Sequence, residues 1–436
     1  MQTLSPQDAV PTAKSGFREG FPLKTVLILA VNFPPYGGVG VIRTLKFTKY
    51  LPEFGWMPLV VTIPAQSAKR VSDDSLLNEI PPGVDIHRPF FRDYRKIIPG
   101  DIARLLQPVL RRIHFPDKYI QWNHFALKYI KEKILPHRSI DLAYTSVGPH
   151  STLLLAHTVK QQLNIPFVVD FRDPFSFSQY SILDARSSWR SKAEEIEQAV
   201  LKDAAHVINV SALWKNKYES LYPEIAGKSS LIHNGYDEED FSAAFSAPQN
   251  DVFTIGYNGT FSRIVPLDPL VSAIVDIHRT YGIPIRLRIA TPTNRKKLIS
   301  KYPYLVQNDL LDYSGFLPHR ASLENLASCN ISALVLNDME ATEGMIPAKT
   351  FEYLRIERPI LLLHRKNGFL AEIIERTGTG VTVDIADPQA IVDALLKLQR
   401  AWRDNSLAYQ PNFQEIRKFE RRYLTQKLAE IFNALA

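Results

Sequence analysis

The chain has 436 residues, 45% hydrophobic and 22% charged, a soluble globular composition too long for one ordinary core, so about two to three domains are expected. Its single cysteine, Cys329, excludes an intrachain disulfide, argues against a cysteine-based metal site and fits a reducing cytoplasm. The net charge of +7 calls for an anionic partner, and no apolar run approaches the roughly 18 residues of a membrane span.

Residues 1–23 are polar, carry Pro6, Pro11 and Gly16, lack the apolar stretch of a signal peptide and read as a loose tail. Apolar runs rich in β-branched residues then follow at 25–31, 59–63, 142–145, 167–170 and 206–210, with helical candidates at 42–54, 153–163 and 194–203 between them. Continuous rather than alternating apolar runs suit strands covered on both faces, so a doubly wound parallel α/β domain is expected. Within this half, basic residues gather at Arg88 to Arg112 (Arg92, Arg95, Lys96, Arg104, Arg111) and again at Lys128, Lys131, Lys133 and Arg138. The stretch 102–113 is apolar and basic together, which suits a segment lying on anionic lipid; the alternative is a solvated helix packed on its Leu/Ile face and interrupted by Pro108. Nucleic acid is disfavoured, because neither an aromatic-interleaved basic stretch nor zinc-finger spacing occurs.

The pattern restarts after a small, polar, proline-containing stretch at 242–250. Strand-like runs at 253–257, 285–289, 331–336, 360–363 and 380–383 alternate with helical stretches, one of them running from Leu267 to Tyr281 behind Pro266. A second α/β unit is therefore expected, and the segment 413–436 reads as a charged amphipathic helix that packs back on the first unit. The expected boundaries are 24–240, 251–404 and 405–436.

In open α/β sheets, ligands bind beyond the carboxyl ends of the strands, and the residues suited to chemistry fall there. After the first strand comes Asn32-Phe33-Pro34-Pro35-Tyr36-Gly37-Gly38-Val39-Gly40, then a helix with Arg43 in its first turn; Gly37 and Gly38 let a phosphate or sugar approach the backbone. The third glycine of a dinucleotide fingerprint is missing and no acidic residue ends the second strand, which makes nicotinamide chemistry a minor reading. His150 sits at a strand-to-helix junction, as a helix-cap residue or a catalyst. Asp170-Phe171-Arg172-Asp173-Pro174 ends another strand, either orienting hydroxyls or a phosphate or fixing its own loop. The segment Gly344-Met345-Ile346-Pro347-Ala348-Lys349-Thr350-Phe351-Glu352 joins a glycine turn, a lysine and a helix start, a combination able to receive a diphosphate, with Glu352 one turn on for a ribose diol. The plain alternative is a loop-helix-strand crossover carrying a surface Lys349–Glu352 pair.

Taken in order, these boxes, with His233-Asn234-Gly235-Tyr236-Asp237 and Tyr257-Asn258-Gly259-Thr260 between them, resemble the GT-B glycosyltransferases of family four over about residues 24–400, most of all bacterial enzymes of O-antigen or capsule synthesis. The resemblance implies two facing Rossmann-like domains, the first for the acceptor and the second for the donor, with a last helix crossing back to the first. It implies a retaining, metal-independent transfer from a nucleotide-diphosphate sugar to a glycan or polyprenyl-linked acceptor, with no other cofactor, in the cytoplasm or peripherally on the inner face of the membrane. Carried over by position, Glu352 binds ribose hydroxyls, Lys349 lies by the diphosphate, and Gly37 and Gly38 close over the donor. Gly259, Arg263, Glu343, Gly344, Met345 and Ile346 complete the donor set; Asp173, His150 and Arg172 are the candidate catalytic residues, with Asp173 and His150 to orient the acceptor.

Three departures stand out. The first glutamate of the family's pair, separated from the second by seven intervening residues, matches Gly344, with Glu343 one residue off. Small residues after Glu352 are replaced by Arg355-Ile356-Glu357-Arg358, and Thr260 stands where an arginine is usual. These leave two further readings open: a degenerate relative acting as a binding subunit, and a sugar-nucleotide epimerase of similar shape.

Overall fold

The structure, a computed structural model, describes residues 23–65, 67, 72–93, 102, 105–177, 187–241, 245, 248–339 and 342–436. The expected tail, Arg95, Lys96, Arg104 and parts of the 242–250 stretch lie outside the described residues.

Seven strands form the first sheet: β1 (Lys24–Leu29), β2 (Trp56–Val61), β3 (Asp85–His87), β4 (Leu142–Val147), β5 (Phe167–Phe171), β6 (His206–Asn209) and β7 (Ser229–Leu231), in the order β3-β2-β1-β4-β5-β6-β7. Between them run α1 (Val39–Tyr50), α2 (Gln107–Ile113), α3 (Ile120–Tyr129), α4 (Ser151–Leu163), α5 (Ser187–Asp203) and α6 (Ala212–Leu221). The second sheet, wholly parallel, has the order β10-β9-β8-β11-β12-β13, with β8 (Phe253–Asn258), β9 (Ile285–Ala290), β10 (Leu311–Gly315), β11 (Ile331–Val335), β12 (Ile360–Leu363) and β13 (Gly380–Val383). Its helices are α7 (Asp268–Tyr281), α8 (Arg295–Lys301), α9 (Pro303–Gln307), α10 (His319–Ala327), α11 (Lys349–Arg355), α12 (Phe369–Thr377) and α13 (Pro388–Arg403), followed by α14 (Phe413–Arg417) and α15 (Arg421–Leu435). Strand order reverses between β1 and β4 in one sheet and between β8 and β11 in the other, the two places where a doubly wound sheet opens a crevice.

The apolar runs of the second sheet are buried on both faces. Leu361 and Leu363 belong to a core under α7 and α13, while Ile360 and Leu362 belong to a second core with Leu354 and Ile374. Period-two side-chain alternation across one strand thus feeds both layers, which is why the run shows no polar positions. Helix α7 carries the end signals its sequence promises: a proline in its first turn and Gly282 in the left-handed C-cap conformation, its N–H bonded to His278 O.

Two expectations are corrected. Arg43 lies beyond the first turn of α1 and is buried, its guanidinium 4.9 Å from the Phe47 ring centre. The expected single helix at 413–436 is two helices, because the chain between them turns aside to pair with the Tyr236 backbone: Tyr236 N–H donates to Phe419 O at 3.1 Å and Arg421 N–H donates to Tyr236 O at 2.7 Å. Gly235 is required there, since a Cβ would fall 2.1 Å from Phe419 O.

By compactness the chain divides into Met1–Val169, Asp203–Ala205 and Thr425–Ala436 as one unit, and Asp170–Lys202 with His206–Leu424 as the other. The last helix therefore returns to the first unit. There Phe432 packs edge-on against Trp56 and Tyr144, and Trp56 Nε1 donates to Asn433 Oδ1 at 2.9 Å.

Candidate functional site

The crevice of the second sheet lies between the loop after β8 and the loop after β11. Asn258 ends β8 in a fixed pose: its side-chain amide donates to Ser322 O and Oγ, and its backbone N–H meets the Tyr353 hydroxyl at 3.1 Å. Gly259 follows with φ +124°, a backbone that side chains rarely adopt, and its open face lets the Lys349 ammonium approach. Lys349 Nζ donates to Asn258 O at 3.2 Å and lies 4.1 Å from the Tyr257 ring centre. Burial among these groups lowers the Lys349 amine from 10.5 to about 7. Because the folded value lies below the unfolded one, this group's penalty to stability is full below pH 7 and fades as pH rises toward 10.5.

One turn further along α11, Glu352 is engaged. Its Oε1 takes a hydrogen bond from His319 Nε2 at 2.8 Å, and His319 Nδ1 lies 4.0 Å from Asp240 Oδ2. Arg320, next on α10, donates to Asp240 O at 2.5 Å. The relay fixes the rotamer of Glu352 at the mouth of the Lys349 site, where a carboxylate accepts from vicinal hydroxyls. His319 and Asp240 carried no sequence signal, being far from Glu352 along the chain and free of any recognisable spacing.

The far end of the crevice is shaped by Trp214. Its indole N–H donates to Glu343 O at 3.0 Å, and Gly344 has φ +74°. A Cβ at 344 would meet Trp214 Nε1 at 2.9 Å and Leu213 Cδ2 at 3.0 Å. An acidic side chain therefore has no room at this position, and Glu343, exposed, is the carboxylate that remains. Ile346 is buried in the core and Met345 packs against it, so both support the loop. A small pocket of about 80 Å³ adjoins, lined among others by Leu213, Glu343, Met345, Arg365, Gly368 and Phe369. Arg365 forms an ion pair with Asp338. Arg263 is exposed; it contributes its carbonyl, which accepts from Asn337 Nδ2 at 3.0 Å and ties the β8 loop to the β11 loop.

The remaining expected residues lie along the first sheet. Asn32 Nδ2 donates to Gly148 O at 2.6 Å across the β1–β4 reversal. Gly38, φ +97°, is the N-cap of α1, and a Cβ at Gly37 would press on Asp73 Cβ at 3.1 Å. His150 stands at the N-cap of α4 without a side-chain cap bond; the first-turn N–H of Ser151 is taken by Asp117 Oδ2 at 2.8 Å. After β5, Asp170 is buried, Arg172 half-buried and Asp173 exposed. The loop that follows is pinned by Glu197, wholly buried on α5, which accepts from Ser176, from Tyr218 at 2.7 Å and from Tyr222 at 2.9 Å; burial pushes its carboxyl up.

Residues 87–240 match the protein-family model described as Glycosyltransferase Family 4, a span containing His150 and the 170–174 and 233–237 boxes but not Lys349 or Glu352. No curated protein matches the chain. Among solved structures, the chain is similar to a glycosyltransferase from Rickettsia africae ESF-5 (13% identity, 95% of this chain and 99% of that one, TM-score 0.61). It is similar also to sucrose-phosphate synthase from Thermosynechococcus elongatus (17%, 94% of each, 0.59) and to Anabaena HepE in complex with UDP and glucose (14%, 94% and 100%, 0.58). At these identities the likeness is one of fold: two Rossmann-like halves and a returning C-terminal helix, the GT-B arrangement.

Proposed function

We propose that the chain is a glycosyltransferase that moves a sugar from a nucleotide-diphosphate donor to the hydroxyl of a glycan or polyprenyl-linked acceptor, with retention and without a metal. The observation that carries this reading is the half-buried Lys349 set beside the open Gly259 turn at the strand-order reversal, one helical turn from Glu352. The family match over 87–240, the fold shared with glycosyltransferases, and the UDP and glucose held by the Anabaena protein all support it. In this reading residues 24–240 serve the acceptor, 251–404 the donor, and 405–436 join the two; the work belongs to cell-surface polysaccharide synthesis at the inner face of the membrane.

Glu352 takes the ribose hydroxyls, Gly259 admits the diphosphate, and Lys349, which takes up a proton from solvent as the anion arrives, neutralises it as it leaves. Glu343 serves the sugar. Gly37 and Gly38 cover the donor, while Asp173, Arg172 and His150 orient the acceptor. The bond from the anomeric carbon to the diphosphate oxygen breaks as the acceptor oxygen attacks the same face, and the acceptor proton passes to the leaving phosphate. The protein supplies position and charge stabilisation rather than a covalent intermediate.

The test follows from the lowered Lys349 amine. Between pH 7.5 and 8.5 a nucleoside diphosphate has already lost its last phosphate proton, whose pKa is about 6, and its base keeps its own protons, so any fall in affinity belongs to the protein. Calorimetric titration with UDP, ADP and GDP is expected to show proton uptake on binding and affinity falling with rising pH, toward a limit of about tenfold per unit. A pH-independent affinity over that range counts against Lys349 as the diphosphate partner. A second reading, a binding subunit without turnover, rests on the closure of position 344 by Trp214.

A further inference from the structure

An amphipathic helix normally turns its apolar stripe to the core; the described apolar residues between 102 and 113 do the reverse. Helical hydrogen bonds run from Leu106 N–H to Ile102 O, from Leu110 N–H to Leu106 O and from His114 N–H to Leu110 O, each 2.9 Å. Ile102, Leu105, Leu106, Val109 and Ile113 recur at the spacing of one helical face, and they are 50, 81, 39, 56 and 59% exposed. The segment is not loose: His114 Nε2 lies 2.8 Å from Gln121 Nε2 at the start of α3, which holds α2 to α3. On α3 and before α2, Phe125 and Phe90 are also exposed and meet edge-on with ring centres 5.2 Å apart.

Charge identifies the occupant. Residues 88–138 hold twelve lysines and arginines against four acidic residues, a net +8, so the rest of the chain is close to neutral. Two of the four acids are engaged within the fold, Asp93 on Lys118 and Asp117 on the amides of Tyr119 and Ser151, and Glu132 is exposed among Arg112, Lys128, Lys131 and Lys133, which are exposed too. Apolar and aromatic side chains flanked by long cations fit the interface of an anionic bilayer, where the apolar groups enter the acyl boundary and the cations meet lipid phosphates. A second copy would bring the same positive surface against itself. We propose that the exposed face formed by Ile102, Leu105, Leu106, Val109 and Ile113, with Phe90 and Phe125, docks the full chain on an anionic membrane leaflet. This does not depend on the donor site.

Co-sedimentation of the full chain with vesicles tests it. The chain is expected to pellet with phosphatidylcholine vesicles containing about a third phosphatidylglycerol, and to stay in solution with phosphatidylcholine alone. Val109→Asp with Ile113→Asp is expected to cut binding at least tenfold, and Arg112→Gln and Lys128→Gln each about fivefold, more at low salt than at high. These changes sit on the surface, and an unaltered melting curve in each variant separates lost docking from lost fold. Equal recovery with neutral vesicles, no pelleting with anionic ones, or full binding by the double aspartate variant overturns the proposal. So does a dimer in sedimentation velocity that the double variant dissolves, which would give the face to a second copy.

Discussion

Lys349→Ala is expected to abolish the thermal stabilisation that a nucleoside diphosphate gives the wild-type chain. Lys349 is the cation enclosed at the Gly259 turn, and a charge-assisted hydrogen bond to phosphate contributes about 1.5–3 kcal/mol, or about ten- to a hundredfold in affinity. At a nucleotide concentration about 100 times the wild-type Kd the stabilisation is about 2.7 kcal/mol, and a hundredfold loss of affinity leaves about 0.4 kcal/mol. Glu352→Ala is expected to act in the same direction by a second route, removing the ribose acceptor and releasing His319 from its 2.8 Å bond. Glu352→Gln, which keeps an acceptor oxygen, should retain part of the gain. Scanning calorimetry of the variants with and without nucleotide decides; a full gain in Lys349→Ala would remove the lysine from the site.

Gly344→Glu, which restores the acid expected from the family resemblance, is expected to damage the protein. The backbone there is left-handed, which costs a side chain about 1–2 kcal/mol, and the new Cβ would lie 2.9 Å from the Trp214 indole nitrogen. Together with displacement of the indole from Glu343 O, the loss is expected to be about 2–4 kcal/mol in urea unfolding, accompanied by a shift in tryptophan emission. Gly344→Ala should show a smaller loss of the same kind. In a Trp214→Ala background the contact part should vanish and the backbone part persist, so the two costs should not add. A Gly344→Glu variant as stable as the parent would show that the loop adapts and that Trp214 does not set its shape.

Most strands that could be read from sequence are central ones buried on both faces; β13, an edge, was read from its short β-branched run. β12 announces itself because all four of its residues are apolar and buried, and β1, β8 and β11 because most of theirs are, with only small or terminal polar residues among them. β3, β7 and β10 escaped because they are sheet edges with half-exposed, polar sequences; Asp312 in β10 even serves as an ion-pair partner, 2.6 Å from Arg288 Nε. The break between α14 and α15 was illegible for another reason: it is made by Tyr236, remote in sequence, and nothing in residues 418–420 announces it.

The same division runs through the candidate site. Lys349 and Glu352 were legible because their relation is local, a spacing along one helix. What surrounds them depends on groups that only the fold assembles: the Asn258 carbonyl and Tyr257 ring around Lys349, and His319 with Asp240 behind Glu352. The offset between Glu343 and Gly344 was visible as an anomaly, but its cause, an indole from α6 filling the space of a Cβ, was not.

The most direct measurement is incubation of the full chain with a panel of nucleotide sugars, with and without a lipid-linked or glycan acceptor, following nucleoside diphosphate release and sugar identity by mass spectrometry and NMR. The expected result is release of nucleoside diphosphate from one class of donor, faster with acceptor, with the anomeric configuration kept in the product. Binding without release from any donor, or an isomerised sugar still attached to its nucleotide with no acceptor needed, would contradict transfer and give the site to a binding subunit or an epimerase.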